Sequence, residues 1–204
     1  MRALVLASNN RKKLQEMQKL LEQVPGAVTL TPQSDYGIPE AIENGQSFVE
    51  NALIKARHAS VLTGLPAIAD DSGLEVDALN GAPGIHSARF AAAPDEGNSS
   101  DEANNARLLE CLRGVPRSQR TARFQCVIVL HRFPQDPMPI VCQGTWEGFI
   151  LDEPAGANGF GYDPLFFVPT HHCSSAQLDP AIKNALSHRG QALRQLLARW
   201  PGRQ

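Results

Sequence analysis

Two stretches of this chain place cations where a helix should not carry them. Ser8-Asn9-Asn10-Arg11-Lys12-Lys13 follows an apolar run directly and opens a helical pattern. A helix N-terminus carries partial positive charge and unpaired N–H groups, so three basic residues in its first turn are unfavourable unless an anion joins them. Phosphate is the natural anion, held by backbone N–H groups, the Ser8 hydroxyl and Lys13. The bland alternative, open at this point, has Arg11 and Lys12 pointing into water on a frayed turn. Near the other end, Ser187 is a good N-cap, yet His188 and Arg189 occupy the turn it opens and Lys183 lies just upstream. Two such inconsistencies in one chain favour a ligand shared by both.

Acids mark a third stretch. Asp70 and Asp71 stand side by side where the apolar run Ala67-Ile68-Ala69 ends. Neighbouring strand residues face opposite ways, so the two cannot share one role. One would cap the following turn and the other would face a crevice at the strand end, where it could hold Mg²⁺ or activate a water. Glu43, in the loop Glu43-Asn44-Gly45-Gln46-Ser47-Phe48, is a second possible oxygen ligand. An Asx turn with a solvated Glu43 remains the alternative. The fourth stretch, Gly156 to Asp163, is neither a Rossmann fingerprint nor a phosphate-binding loop ending in Gly-Lys-Ser/Thr. Its glycines flank Phe160 and Tyr162, which offer either an aromatic face for a planar ring or two core side chains.

The elements that must carry these residues follow from periodicity. Residues 2–7 read as a buried strand, and Leu14, Met17, Leu21 and Val24 mark a helix from Asn9 to about Val24. Ser47 and Glu50 form a capping-box signature for a helix to about Leu62. Strands are expected at 28–31, at 66–71 and separately at 73–79. A helix is expected from Asp101 to Leu112, with Ala103, Ala106, Leu109 and Cys111 or Leu112 inward. A hairpin is expected around Pro134 to Pro137, then a strand at 163–169 and a last helix opened by Ser187. Helices interleaved with hairpins predict an α/β fold with a mixed sheet, in a single domain over 1–204.

Composition narrows the partners. With 19 Lys+Arg against 21 Asp+Glu, the net charge of −2 excludes a broad basic face for a nucleic-acid polymer. The weakest alternative is a single-stranded nucleic-acid module using Phe160, Tyr162 and the basic clusters. No apolar run approaches the ~18 residues of a membrane span, and the opening residues do not read as a secretory signal. The four cysteines show no C-x-x-C spacing. A soluble cytoplasmic protein is expected.

Six motifs in order then carry a resemblance: S-N-N-x-x-K at 8–13, E-N-G-x-S-F-x-E-N-A-x-x-K-A at 43–56, A-D-D-S-G at 69–73, G-A-P-G-I-x-S-A-R at 81–89, G-F-G-Y-D-P at 159–164 and K-N-x-x-S-H-R at 183–189. Together they resemble the inosine/xanthosine triphosphate pyrophosphatases over nearly the whole chain. The resemblance implies an elongated central sheet flanked by helices, in two lobes with the active site in the cleft between them, and a homodimer. It implies Mg²⁺-dependent hydrolysis of nonstandard purine nucleoside triphosphates (ITP, dITP, XTP) to monophosphate and pyrophosphate. By motif position, Ser8, Asn9, Asn10, Arg11, Lys12 and Lys13 would hold the triphosphate, Glu43 and Asp71 the metal, and Asp71 the proton of the attacking water. Ser72, Phe160, Gly161, Tyr162, Asp163, Lys183, His188 and Arg189 would line the nucleotide site. A nucleotide-binding sensor without turnover, and a pyrophosphatase for modified pyrimidine nucleotides, are the other readings. His86, where tyrosine is usual, and Ala157-Asn158 depart from the pattern without touching the phosphate or metal motifs.

Overall fold

The computed structural model describes residues 3–22, 28–93 and 97–200; the side chains of Arg11, Lys12 and Leu20 lie outside the described set, as does the expected helix end at Val24. Among the described residues the order is β1 (Ala3–Leu6), α1 (Arg11–Leu21), β2 (Thr29–Pro32), α2 (Phe48–Thr63), β3 (Ala67–Val76), α3 (Asp101–Cys111), β4 (Thr121–His131), β5 (Ile140–Ile150), β6 (Phe166–Val168), β7 (Cys173–Ser174), α4 (Pro180–Leu186) and α5 (His188–Ala198), joined in places by short 3₁₀ turns. The strands form one sheet in the order β2-β1-β3-β4-β5-β6-β7. β1 runs parallel to β2 and β3, while β5, β6 and β7 pair antiparallel, so the sheet is mixed as expected.

The chain divides into two compact units. The first comprises residues to Asp71, Cys126–Gly144 and the segment from Arg189. Strand parity builds its core. Leu4 and Leu6, Ile68, and Cys126, Ile128 and Leu130 share a cluster with Met17 and Leu21 of α1 and with Ala192, Leu193 and Leu196 of α5. The alternate residues Val5, Ala67, Ala69, Val127 and Val129 share another with Ala52, Ala56 and Ala59 of α2. Both sheet faces are therefore covered by helices, and a sheet buried on two sides reads as an unbroken apolar run. Small residues on α2 let the helix lie close. Its start is capped as expected: Ser47 Oγ accepts from Glu50 N at 3.3 Å, and the Glu50 carboxylate accepts from Gln46 N at 2.7 Å.

The second unit comprises Ser72–Gln125 and Thr145–His188. Its core gathers Leu74, Val76, Leu108, Leu112, Phe124, Trp146, Tyr162 and Phe166.

Two expectations needed correction. The strands expected at 66–71 and 73–79 merge into one strand, β3, which ends at Val76 before a 3₁₀ turn at Asp77–Leu79 and holds the acid pair in its interior; the polar residues look like a strand end only because their burial depends on partners distant in sequence. On α3, Ala103 and Ala106 are exposed and Asn104 and Asn105 are buried with Leu108, because the asparagines hold loop backbone, while Leu109 and Leu112 pack on the core as expected. Ser187 opens the last helix as expected: α4 ends at Leu186, Ser187 is extended (φ −62°, ψ 155°), and α5 starts at His188.

Candidate functional site

Parity on β3 sends Asp70 and Asp71 into different surroundings. Asp70 shares the face of Ile68 and meets α1 and α5. Its Oδ2 lies 3.0 Å from Lys13 Nζ and 3.3 Å from Arg189 Nη2. Arg189 Nη1 also donates to Glu16 Oε2 at 2.7 Å. Lys13 and Glu16 are i,i+3 on α1, so one helix face presents both to this cluster. Positive and negative groups thus alternate through Lys13, Asp70, Arg189 and Glu16. Asp70 is 1% exposed and Arg189 5%. Burial alone would push the Asp70 carboxyl up, but Lys13, Arg189 and then Lys55 outweigh it and hold the group well below the usual carboxylate range. The Asp70 carboxylate is therefore ionised and engaged by cations on two helices, rather than capping a turn.

Asp71 shares the face of Ala69 and meets α2. Lys55 Nζ lies 2.6 Å from Asp71 Oδ1 and 3.2 Å from Glu43 Oε2. Two carboxylates from separate segments thus converge on one cation. Burial raises the Asp71 carboxyl above its ordinary value; Lys55 offsets part of that, and Glu43 adds to it. Lys55 keeps its proton more firmly than usual, since Asp71 and Glu43 outweigh the burial that opposes its charge. A buried carboxylate with a raised proton affinity is suited to take a proton. Glu43 and Asp71 also fit a hard divalent cation, because their oxygens already gather around one positive charge.

The start of α1 is capped by Asn10, whose Oδ1 accepts from Lys13 N at 3.1 Å, while Ser8 Oγ accepts from Asn10 N at 3.2 Å. Asn9 Nδ2 donates to Glu40 Oε1 at 2.8 Å. Thus Lys13 comes together with Asp70 in this unit, and Glu43 with Asp71 and Lys55.

The remaining expected residues lie in the second unit apart from Arg189. The Asp163 carboxylate accepts from Lys183 Nζ at 2.5 Å, Ser175 Oγ at 2.8 Å and Phe160 N at 2.9 Å. Lys183 Nζ also sits 5.2 Å from the Phe160 ring centroid. A Cβ on Gly159 would collide with the Asp163 carboxylate and approach Lys183 Nζ, which is why glycine stands there at φ +79°. His188 stacks on Phe124 with centroids 4.8 Å apart and planes at 12°. Ser72 is half-buried on β3. Tyr162 is a correction: its ring is in the core and its hydroxyl donates to Ser87 O at 2.8 Å, so it presents no open aromatic face. Burial, with Asp101 nearby, pushes its phenol well up.

Lys55, Asp70 and Glu16 were missed as site residues. Lys55 had a signal: it borders the buried stripe Ala52, Ala56 and Ala59, where a cation needs a partner. Glu16 had none beyond its i,i+3 spacing from Lys13.

A dITP/XTP pyrophosphatase of Vibrio parahaemolyticus is 55% identical over 97% of this chain and 96% of its own length. A HAM1 protein structure from Coxiella burnetii superposes with a TM-score of 0.88 at 51% identity, covering 97% of this chain and 98% of that one. The Staphylococcus aureus Ham1 protein gives a TM-score of 0.85 at 38% identity over 100% of both chains. The Ham1 family pattern itself matches residues 4–199, and the chain belongs to the Ham1 family.

Proposed function

We propose that this chain hydrolyses nonstandard purine nucleoside triphosphates (dITP, ITP, XTP) to the monophosphate and pyrophosphate. The observation that carries this reading is the convergence of Glu43 and Asp71 on the Lys55 ammonium, in a chain similar over nearly its full length to proteins named for that reaction.

Asp71 accepts the proton of the attacking water, and its raised proton affinity strengthens it as a base. The water oxygen bonds to phosphorus as the α–β anhydride bond breaks, and pyrophosphate leaves with the electron pair. Glu43 and Asp71 are the proposed ligands of Mg²⁺, which when bound supplies neutralising charge for the phosphate oxygens and the leaving group. Lys55 holds the two carboxylates in place. Lys13 and the α1 start, from Ser8 through Asn9, Asn10, Arg11 and Lys12, bind the triphosphate through side chains and backbone N–H groups.

Ser72, Phe160, Gly161, Asp163, Lys183 and His188 bind the nucleoside. The Phe160 ring offers a face to the base, and His188 donates to the 6-oxygen of hypoxanthine or xanthine. Arg189 acts beside it, its guanidinium oriented by Asp70 and Glu16. Adenine carries a donor at that position, and an unpaired donor in a closed site costs about 1–3 kcal/mol.

The reading includes a homodimer in the cytoplasm. The free thiols Cys111, Cys126, Cys142 and Cys173 suit a reducing compartment. Among the described residues no helix is long and apolar enough to cross a membrane. Sedimentation as one species of twice 22.1 kDa checks the dimer. The decisive assay incubates the protein and Mg²⁺ with dITP, ITP, XTP, GTP, ATP and dTTP, resolving pyrophosphate from orthophosphate. Orthophosphate as the primary product overturns the cleavage position, and equal rates on ATP and ITP overturn the base selection.

A further inference from the structure

One turn of α3 grips Gly161 by both polar atoms of its backbone. The Gly161 N–H donates to Asp101 Oδ2 at 2.7 Å, and its carbonyl accepts from Asn105 Nδ2 at 2.9 Å. Asp101 and Asn105 are i,i+4 on α3 and so share a face. Asn105 Nδ2 also donates to the Asp101 carbonyl at 2.8 Å, which sets the orientation of the amide. The adjacent Asn104 grips another loop, accepting from Ala91 N at 2.9 Å and donating to Ala88 O at 3.3 Å. Leu108 and Leu112 anchor this helix in the core of the second unit, so the grip comes from a fixed element.

What it holds needs holding. Gly156, Gly159 and Gly161 are all left-handed (φ +85°, +79° and +62°), and glycine gives up more conformational freedom on ordering than any other residue. Gly161 lies next to Phe160, whose ring meets Lys183 and whose N–H donates to Asp163. Misplacing Gly161 would therefore move the Phe160 face and the Asp163–Lys183 pair together.

We propose that Asp101 and Asn105 are positioning residues for nucleobase binding: they touch no substrate, but hold the Phe160–Asp163 segment in the conformation that receives the base. The inference rests on the functional reading above and deepens it. Preorganising a loop improves affinity by removing the ordering cost from the binding step.

The test compares the full-length wild type with Asp101→Ala, Asp101→Asn and Asn105→Ala. For each, KM and kcat are measured on dITP with Mg²⁺, together with the inhibition constant of inorganic tripolyphosphate and the melting temperature. Tripolyphosphate reads the phosphate site without a base. The expected result for both alanine variants is a KM raised about tenfold, equivalent to about 1.4 kcal/mol. Their kcat should stay within about threefold and the tripolyphosphate constant should be unmoved. Asp101→Asn should restore KM, since its amide oxygen still accepts the Gly161 N–H. An unmoved KM in folded variants overturns the proposal, and so does a tripolyphosphate constant that rises in step with KM. If Asn105→Ala does not fold, the Asp101→Ala and Asp101→Asn pair decides. A wild type inactive on dITP, ITP and XTP removes both this inference and the functional reading; an active wild type with unmoved variants removes this inference alone.

Discussion

The same conservative substitution at two adjacent positions of β3 should produce opposite defects. Asp70→Asn removes the acid that Lys13 and Arg189 share at 3.0 and 3.3 Å. At an effective dielectric of about 20, each contact is a gross attraction of about 5 kcal/mol, most of it offset by the cost of drying a buried ion. Removing one member of such a cluster leaves the others buried without it, which costs about 3–5 kcal/mol. For a chain of this size that lowers Tm by about 6–20 °C. Asp71→Asn differs because burial outweighs the attraction of Lys55 and leaves the ionised form of Asp71 disfavoured, so its neutralisation removes little stability. Its Tm should stay within about 3 °C, a shift of at most ~1 kcal/mol. Its turnover should fall about 10²–10⁴-fold, the usual contribution of a positioned base. Thermal unfolding at pH 7 gives the first comparison, and pyrophosphate release from dITP, well below either Tm, gives the second. Equal Tm losses in the two variants would refute the division of roles, as would an Asp71→Asn protein that turns over like the wild type.

Asp136, in the β4–β5 turn, accepts from Arg132 Nε and Nη2 at 2.7 and 2.6 Å and from Arg132 N and Met138 N at 3.0 Å, and the Arg132 bonds hold its carboxyl well below the usual range. A lowered folded pKa means stability present above the unfolded value near 3.9 and lost as pH falls below it. Asp136→Asn should therefore cost about 2 kcal/mol at pH 7, or about 4–8 °C in Tm. The gap to wild type should hold down to about pH 4 and narrow steadily as pH falls further in a thermal-shift series, with dITP turnover at pH 7 unchanged; a gap that does not narrow between about pH 4 and the lowest pH at which both proteins fold would exclude the ionic origin. Gly159→Ala places a methyl group against the Asp163 carboxylate in a left-handed conformation, so KM for dITP should rise while inhibition by tripolyphosphate stays constant. The left-handed backbone alone adds about 1–2 kcal/mol to the cost of the folded loop, which thermal unfolding measures.

The basic helix starts show where sequence reasoning reaches and where it stops. Periodicity alone locates α1, α2 and the hairpin strands, because an amphipathic stripe or an apolar run is a local property. Alternation also separates Asp70 from Asp71, since opposite faces follow from strand geometry whatever lies on them. What covers each face is not local. Arg189 reaches Asp70 across 119 positions, and Lys55 reaches Asp71 across 16. The unfavourable charge at the starts of α1 and α5 suggests an anion between them. One anion belongs to the protein: Lys13 and Arg189, from the two helices that were locally inconsistent, meet on the same buried carboxylate. Asp70 thereby offsets one cation at each helix start and fixes where those two cations sit. A local rule broken at two places was satisfied by one residue between them in sequence, and only the packing of α1 and α5 on the Ile68 face of β3 could reveal which.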